Sequence, residues 1–404
     1  MKILQICHKP PIPSKDGGCI AMNNISQGLL GLNYKLKIIT LSTSKHPLLL
    51  EKLDLDYKKN TLIEGVFVDT KLNIIDAFSN LVTYDSYNIS RFFSPDFNSL
   101  LIDTLNNNDF DIIHLESLFT TPYIKTIRDN STAKIILRSH NLEYMIWERL
   151  SNESNNPAKK IYLKILSSQL KKYEIDILNL VDGIATISSE DLAKYKHLAC
   201  NKPLINIPFS INIDKYISKD KTLDIKNIKL FHLGSMNWKP NLEAVSYLLK
   251  AIWPQIYTKF PNLSLHIAGR EMPEWMVSND IQGLTNHGEI ISSTDFMNDH
   301  DIMIVPLLSA GGIRVKIIEG MALGKTIIST KIGAEGIDYT DGENIIIANT
   351  TEEITDKISY LLTNPEKIKH IGTNAKKFVR SYYDNIKITK KLSTFYNEVI
   401  NNNI

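Results

Sequence analysis

What this chain has little of narrows it first. Cysteine occurs three times in 404 residues. Cys7, Cys19 and Cys200 show neither paired spacing nor an adjoining histidine cluster, which argues against a disulfide framework and against a zinc site. A reducing, cytoplasmic setting is expected. No apolar run approaches the length of a membrane span, and the strand-like stretch behind Met1 and Lys2 lacks the length and cleavage region of a signal peptide. The chain is therefore expected to be soluble, or at most peripheral at a membrane. A dominant sign of charge is missing too: 46 Lys+Arg stand against 44 Asp+Glu. That balance gives no footprint for a dedicated nucleic-acid binder. Also missing is a short G-x-G-x-x-G turn after the first strand-like run, and the second run ends in Ser42-Thr43 with no carboxylate for a ribose diol. A nicotinamide-dependent dehydrogenase is thereby disfavoured.

What is present is a long alternation. At this length two domains of roughly 200 residues are expected, each able to bury its own core. Strand-like runs at 2–7, 35–41, 111–115, 133–138, 183–187 and 204–207 are separated by helical stretches. After Pro208 the pattern restarts with runs at 228–233, 263–268, 302–306, 326–330 and 344–347. Alternation of this kind predicts parallel sheets wrapped by helices, with ligands beyond the carboxyl ends of the strands. The helical stretch 163–180, with Lys159, Lys160, Lys164, Lys171 and Lys172 in or just before it, reads as a solvated lysine face. Contact with anionic lipid is the second reading.

The densest chemistry lies at 305–336, VPLLSAGGIRVKIIEGMALGKTIISTKIGAEG. A buried strand hands over through a small-residue loop to a helix at 315–323. Gly311 and Gly312 allow an anion to approach the backbone, the helix N-terminus offers unpaired N–H groups, and Arg314 and Lys316 add full charges. Glu319, one turn further on, is placed to accept from a ribose or sugar hydroxyl. The same pattern also serves an ordinary βαβ unit with a charged outer face. Elsewhere, the proline-stiffened loop after the first strand closes on Gly17-Gly18 at a helix start, suited to backbone contact with a phosphate or sugar. His140 stands at a strand's carboxyl end, His114, with Glu116 two residues on, reads as structural or as a support to the ligand contacts, and Ser188 reads as a helix cap. In the second half Ser235, Lys239 and Arg270 follow strands that end in glycine, with Lys239 and Arg270 in reach of a diphosphate or nucleotide.

Taken together, the loop 10–18, RSHNLE at 138–143, VDGIATISSEDLAKY at 181–195, LGSMNWKPN at 233–241 and GGIRVKIIEGMALGKTIISTKIGAEGI at 311–337 resemble the retaining glycosyltransferases of family 4. This is the glycosyltransferase group 1 class, and the likeness spans nearly the whole chain. It implies the α/β GT-B fold, with two Rossmann-like doubly wound domains facing across a cleft. Residues 1–208 would bind the acceptor, with the C-terminal helix 382–404 packing back on them, and 209–381 would bind the nucleotide-sugar donor. The implied activity is metal-independent transfer of a hexosyl group from a nucleoside-diphosphate sugar to a hydroxyl of a glycan, lipid-linked or protein acceptor. Bacterial cell-surface polysaccharide or other glycan synthesis is the implied setting, at or near the inner face of the cytoplasmic membrane. No cofactor and no nucleic-acid partner is implied.

Position by position, the resemblance assigns His140, Arg314 and Lys316 to catalysis. It assigns Gly17, Gly18, Ser235, Lys239, Arg270, Gly311, Gly312, Ile313 and Glu319 to the donor. Glu319 corresponds to the second carboxylate of the family's E-x7-E motif, whereas Gly311 stands where the first belongs, and Ser235 stands where an arginine is common. A nucleotide-sugar epimerase or a sugar phosphorylase would use the same cradle. The missing carboxylate would also suit a catalytically silent partner subunit, against which the presence of Gly17, Gly18, His140, Arg314, Lys316 and Glu319 argues.

Overall fold

A computed structural model describes residues 1–14, 16–69, 89, 91–198, 200–219, 223–277, 281–309 and 312–401. The chain divides into two compact units, Met1–Ser210 with Asn385–Ile404, and Ile211–Asp384. Each is a parallel sheet covered by helices.

The first sheet has seven strands: β1 (Lys2–Cys7), β2 (Lys35–Ser42), β3 (Glu64–Phe67), β4 (Ile112–Glu116), β5 (Lys134–Ser139), β6 (Gly183–Thr186) and β7 (Leu204–Asn206). Their order is β3-β2-β1-β4-β5-β6-β7, so the direction of winding reverses between β1 and β4. Consecutive residues of β1 feed opposite cores. Leu4 and Ile6 join Ile113, Leu115, Ile135 and Leu137 on one face, while Ile3 joins Ile38, Ile112 and Ile136 on the other. That is the period of two expected of a strand buried on both sides.

The second of these faces is closed by the last helix of the chain, Asn385–Ile400. Its Ile388, Leu392, Phe395, Tyr396 and Val399 are buried there, each contributing roughly 1.5–3 kcal/mol by area removed from water. The helix fits because Gly28, on the helix Gly17–Gly31, carries no side chain. A Cβ on Gly28 would stand 2.0 Å from Thr389 Oγ1.

In the second unit the strands are β8 (Lys229–Leu233), β9 (Ser264–Ala268), β10 (Leu284–Asn286), β11 (Ile302–Val305), β12 (Thr326–Ser329) and β13 (Ile346–Ile347), in the order β10-β9-β8-β11-β12-β13. The winding reverses between β8 and β11, and the ends of those two strands carry the candidate residues. The helical run Lys239–Lys259 contains a π turn at Leu248–Ile252. Pro254 explains it, since proline has no N–H for the carbonyl four residues back.

Two strands, β3 and β10, were absent from the alternation read in the sequence. Both are edge strands of four and three residues, and EGVF and LTN are too short and too polar to show a period. The run at 344–347 contracts to Ile346–Ile347. The helix of the glycine-rich segment is Val315–Ala322, ending one residue before the expected 323. Ser188 caps its helix as expected, accepting from Asp191 N at 3.0 Å. The lysine-bearing helix is Pro157–Leu178, and among the described residues no helix is long and apolar enough to cross a membrane.

Candidate functional site

In the second unit the sequence pattern centres on the turn into Val315–Ala322. Gly311 lies outside the described residues. Gly312 adopts φ +76°, with open space where a Cβ would be, so glycine is there for the left-handed backbone and not for tight packing. Ile313 lies under Gly336, where a Cβ would approach its Cγ1 to 3.0 Å. Arg314 is the N-cap residue, and among the described residues no side chain caps the helix. The first-turn N–H groups of such an end need acceptors from elsewhere.

Both cations of this turn are held by protein acceptors. The Arg314 guanidinium is buried, with Nη2 donating to the Ile332 carbonyl and standing 3.4 Å from Glu335 Oε2. Lys316 Nζ donates to the Leu233 carbonyl at 2.9 Å and to Asn241 Oδ1 at 2.9 Å, and lies 3.4 Å from His232 Nε2. His232 Nδ1 is 2.7 Å from the Ile304 carbonyl. A carbonyl only accepts, so Nδ1 carries the hydrogen and Nε2 presents its lone pair to Lys316. Burial, reinforced by Arg314, lowers the Lys316 ammonium to about 7. Lys316 thus pins the end of β8 to the helix.

Glu319 accepts from Tyr216 Oη at 2.7 Å, and burial raises its carboxyl above the ordinary range. The carboxyl ends of β8 and β9 are packed backbone to backbone. Gly234 N donates to Ala268 O, Met236 N donates to Arg270 O, and a Cβ on Gly269 would stand 1.8 Å from Gly234 O. The Ser235 hydroxyl donates to Asn237 Oδ1 at 3.0 Å. Arg270 is exposed. Lys239 is 84% exposed and stands 3.7 Å from Glu243, which accepts from Ser309 Oγ. The structure therefore brings Lys316 to Leu233 and Asn241, and leaves Lys239 and Arg270 at the surface.

In the first unit the centre is Glu116, at the carboxyl end of β4. Fully buried, it receives Gln5 Nε2 at 2.9 Å and His140 Nε2 at 2.8 Å, with Arg138 Nη1 at 3.3 Å and His114 Nε2 at 3.2 Å. Burial works to raise its carboxyl, but Arg138 and His114 outweigh it and hold it well below the usual range. An ionised carboxylate only accepts, so His140 carries its hydrogen on Nε2 and, when neutral, its lone pair on Nδ1. His8 packs edge-on to His140 at 5.8 Å, with Nδ1 on the Glu116 carbonyl at 3.0 Å. Its ring is held neutral by burial and by His140, down to about 3.

Gly17 and Gly18 open their helix as expected, but its N-terminus is already capped. Asp16 accepts from Cys19 N at 3.0 Å and is bound by Lys9 at 2.7 Å and His46 at 3.0 Å. Gly18 lies beneath that ion pair, where a Cβ would meet Lys9 Nζ at 2.9 Å.

The sequence pattern assigns no role to Tyr216, His8 or Glu116. Glu116 and His8 are signalled by their places at strand ends in IIHLE and KILQIC, whereas nothing near Tyr216 marks it. Asp-x-Asp tripeptides occur at 54–56, 109–111 and 299–301. One carboxylate of each is spent on backbone: Asp54 accepts from Asp56 and Tyr57 N, Asp111 from Lys2 N and Asp301 from Lys229 N, while Asp299 pairs with Lys219 at 3.6 Å.

Residues 227–364 match the family model described as glycosyl transferases group 1. Over 96% of its length the chain is 24% identical to an uncharacterized 44.6 kDa protein in the cps region of Klebsiella pneumoniae, covering 97% of that protein. Among solved structures it is similar to sucrose-phosphate synthase of Thermosynechococcus elongatus (TM-score 0.70, 14% identity, all of both chains). It is also similar to the Anabaena HepE protein in complex with UDP (TM-score 0.65, 12% identity, 98% of this chain and 100% of that one). The fold is GT-B, built from two Rossmann-like domains.

Proposed function

We infer that the chain, whose residues 227–364 match the glycosyl transferases group 1 model and whose fold is GT-B, is a retaining transferase that moves a sugar from a nucleoside-diphosphate donor to an acceptor hydroxyl in cell-surface polysaccharide synthesis. One observation carries the reading. At the winding reversal of the second sheet, a left-handed glycine, an uncapped helix start, two cations and a buried carboxylate occupy a single turn and its helix. Such a start binds anions through its N–H groups and dipole. The UDP complex of the Anabaena protein supports a nucleoside-diphosphate donor, and the cps region of the Klebsiella relative supports the polysaccharide setting.

In this reading Gly312 and Ile313 present backbone N–H groups to the diphosphate, and Glu319 accepts from the donor ribose. Arg314 and Lys316 exchange their protein acceptors for diphosphate oxygens, so that charge growing on the leaving group is neutralised without a metal ion. In the first unit His140, oriented by Glu116, is placed to meet a sugar hydroxyl. The bond from the anomeric carbon to the diphosphate oxygen breaks as the acceptor oxygen bonds on the same face, and the leaving diphosphate takes the acceptor's proton.

A calorimetric screen of UDP, GDP and ADP with their sugar conjugates, followed by product analysis in EDTA, tests this. Binding and transfer with retained configuration are expected. Donor conversion without an acceptor would replace the reading by an epimerase, and nucleotide binding without any turnover would replace it by a silent partner.

A further inference from the structure

Three of the ten histidines converge in the second unit, apart from the residues assigned to transfer. His266 lies on β9, His287 directly follows β10, and His300 sits just ahead of β11. One ring nitrogen from each lies within 4.8 Å of the others. By register His266 is beside Phe231, whose ring packs on Phe296 and His300. His232, the next residue of β8, serves Lys316 instead, so the cluster and Lys316 use opposite alternations of the same strand.

The rings are oriented by polar partners, and for His300 the partner also fixes the tautomer. His300 Nδ1 lies 2.5 Å from the Phe296 carbonyl and therefore carries the hydrogen, leaving Nε2 with its lone pair. His266 Nε2 lies 2.9 Å from Ser264 Oγ, and its Nδ1 lies 3.0 Å from His287 Nε2. The backbone of His287 is held by its N–H on the Ile267 carbonyl at 2.9 Å. A single shared proton makes the contact between His266 and His287. Two nitrogens at that spacing, each about 2.0–2.1 Å from a common ion, subtend roughly a right angle at it. An ion can therefore replace the proton between these two rings, and His300, whose ring nitrogen lies within 4.8 Å of theirs, draws in to complete the set.

We propose that His266, His287 and His300 form a site for a borderline transition-metal ion, with Zn2+ as its probe. Neutral imidazoles suit such ions, and the hydroxyl and carbonyl partners are the outer contacts that orient metal-binding histidines. His287 is exposed and His300 buried, which leaves a side open for water to complete the shell. Lys229 brings a positive charge near the rings and Asp299 an opposing negative one. The ion ties edge strand β10 and the start of β11 to β9, a structural clip that leaves transfer itself metal-free.

The test uses the full chain without a histidine tag, stripped by chelator and titrated with ZnCl2 by calorimetry and against a chromophoric chelator. One ion per chain at micromolar affinity or tighter is expected, with a rise in Tm on loading. H287A should weaken binding at least tenfold. H266F, which keeps a ring for stacking, should do the same, and far-UV circular dichroism establishes that each variant is folded. H46A should leave binding unchanged, because Asp16 there is already engaged by Lys9. Absence of stoichiometric binding, wild-type affinity in folded H287A and H266F, or loss of binding in H46A would overturn the site in favour of aromatic packing alone.

Discussion

Lys316 holds a charge where the surroundings disfavour one. Its pKa of about 7 lies far below the roughly 10.4 of an unfolded lysine. Between those values the unfolded chain binds a proton that the native one does not, so stability rises with pH across that window. Relative to Lys316→Met, the wild type should gain on the order of 3 kcal/mol between pH 7 and 10. Urea midpoints of both proteins at several pH values check this, and a flat difference would refute it. Arg314 and Glu319 predict function rather than stability. Arg314→Ala should weaken nucleoside-diphosphate binding at least tenfold by calorimetry, the scale of one charge-assisted contact. Glu319→Gln should raise the donor KM, and an unaltered KM would remove it from the ribose. At this scale the sequence was legible where a residue type declares its purpose, as with Gly312 and its left-handed φ. Tyr216 was not legible, because its contact with Glu319 spans 103 positions and no local pattern encodes such a meeting.

Elements carry the next constraint. The ends of β8 and β9 meet so closely that Gly269→Ala would drive a Cβ into Gly234 O. A backbone atom cannot rotate away, so both loops must shift, at a cost of about 1–3 kcal/mol. We expect a lower Tm and weaker nucleoside-diphosphate binding in the folded variant, measured by scanning calorimetry and titration. Retained affinity would show that these loops do not shape the donor site. The central strands were readable because apolar runs such as IIL in β5 and IMIV in β11 are unbroken. Edge strands β3 and β10 were not, since exposure on one side leaves their composition free to resemble a loop. The capped start of Gly17–Gly31 was also hidden. Two glycines before a helix read as an anion cradle, and only the folded chain places Asp16 on Cys19 N.

The whole molecule is two units, of which the first is discontinuous in sequence. The return of the C-terminal segment was expected from the resemblance, but the surface that receives it, with Gly28 opposite Thr389 and His114 Nδ1 2.6 Å from Tyr396 Oη, is a matter of residues hundreds of positions apart. A chain ending at Asp384 should expose the apolar face formed by Ile3, Ile38, Ile112 and Ile136. Aggregation or loss of the cooperative melt of that unit is the expected outcome, read by light scattering and differential scanning calorimetry. A soluble truncated chain with two intact transitions would contradict it. The same helix has a consequence for synthesis. The core of the first unit is closed by residues that follow the whole of Ile211–Asp384 in the chain. On a translating ribosome, Ile211–Asp384 can complete itself while its predecessor still shows an open hydrophobic flank. The first unit thus matures only once Asn385–Ile400 has been made, and its apolar flank stays uncovered until then.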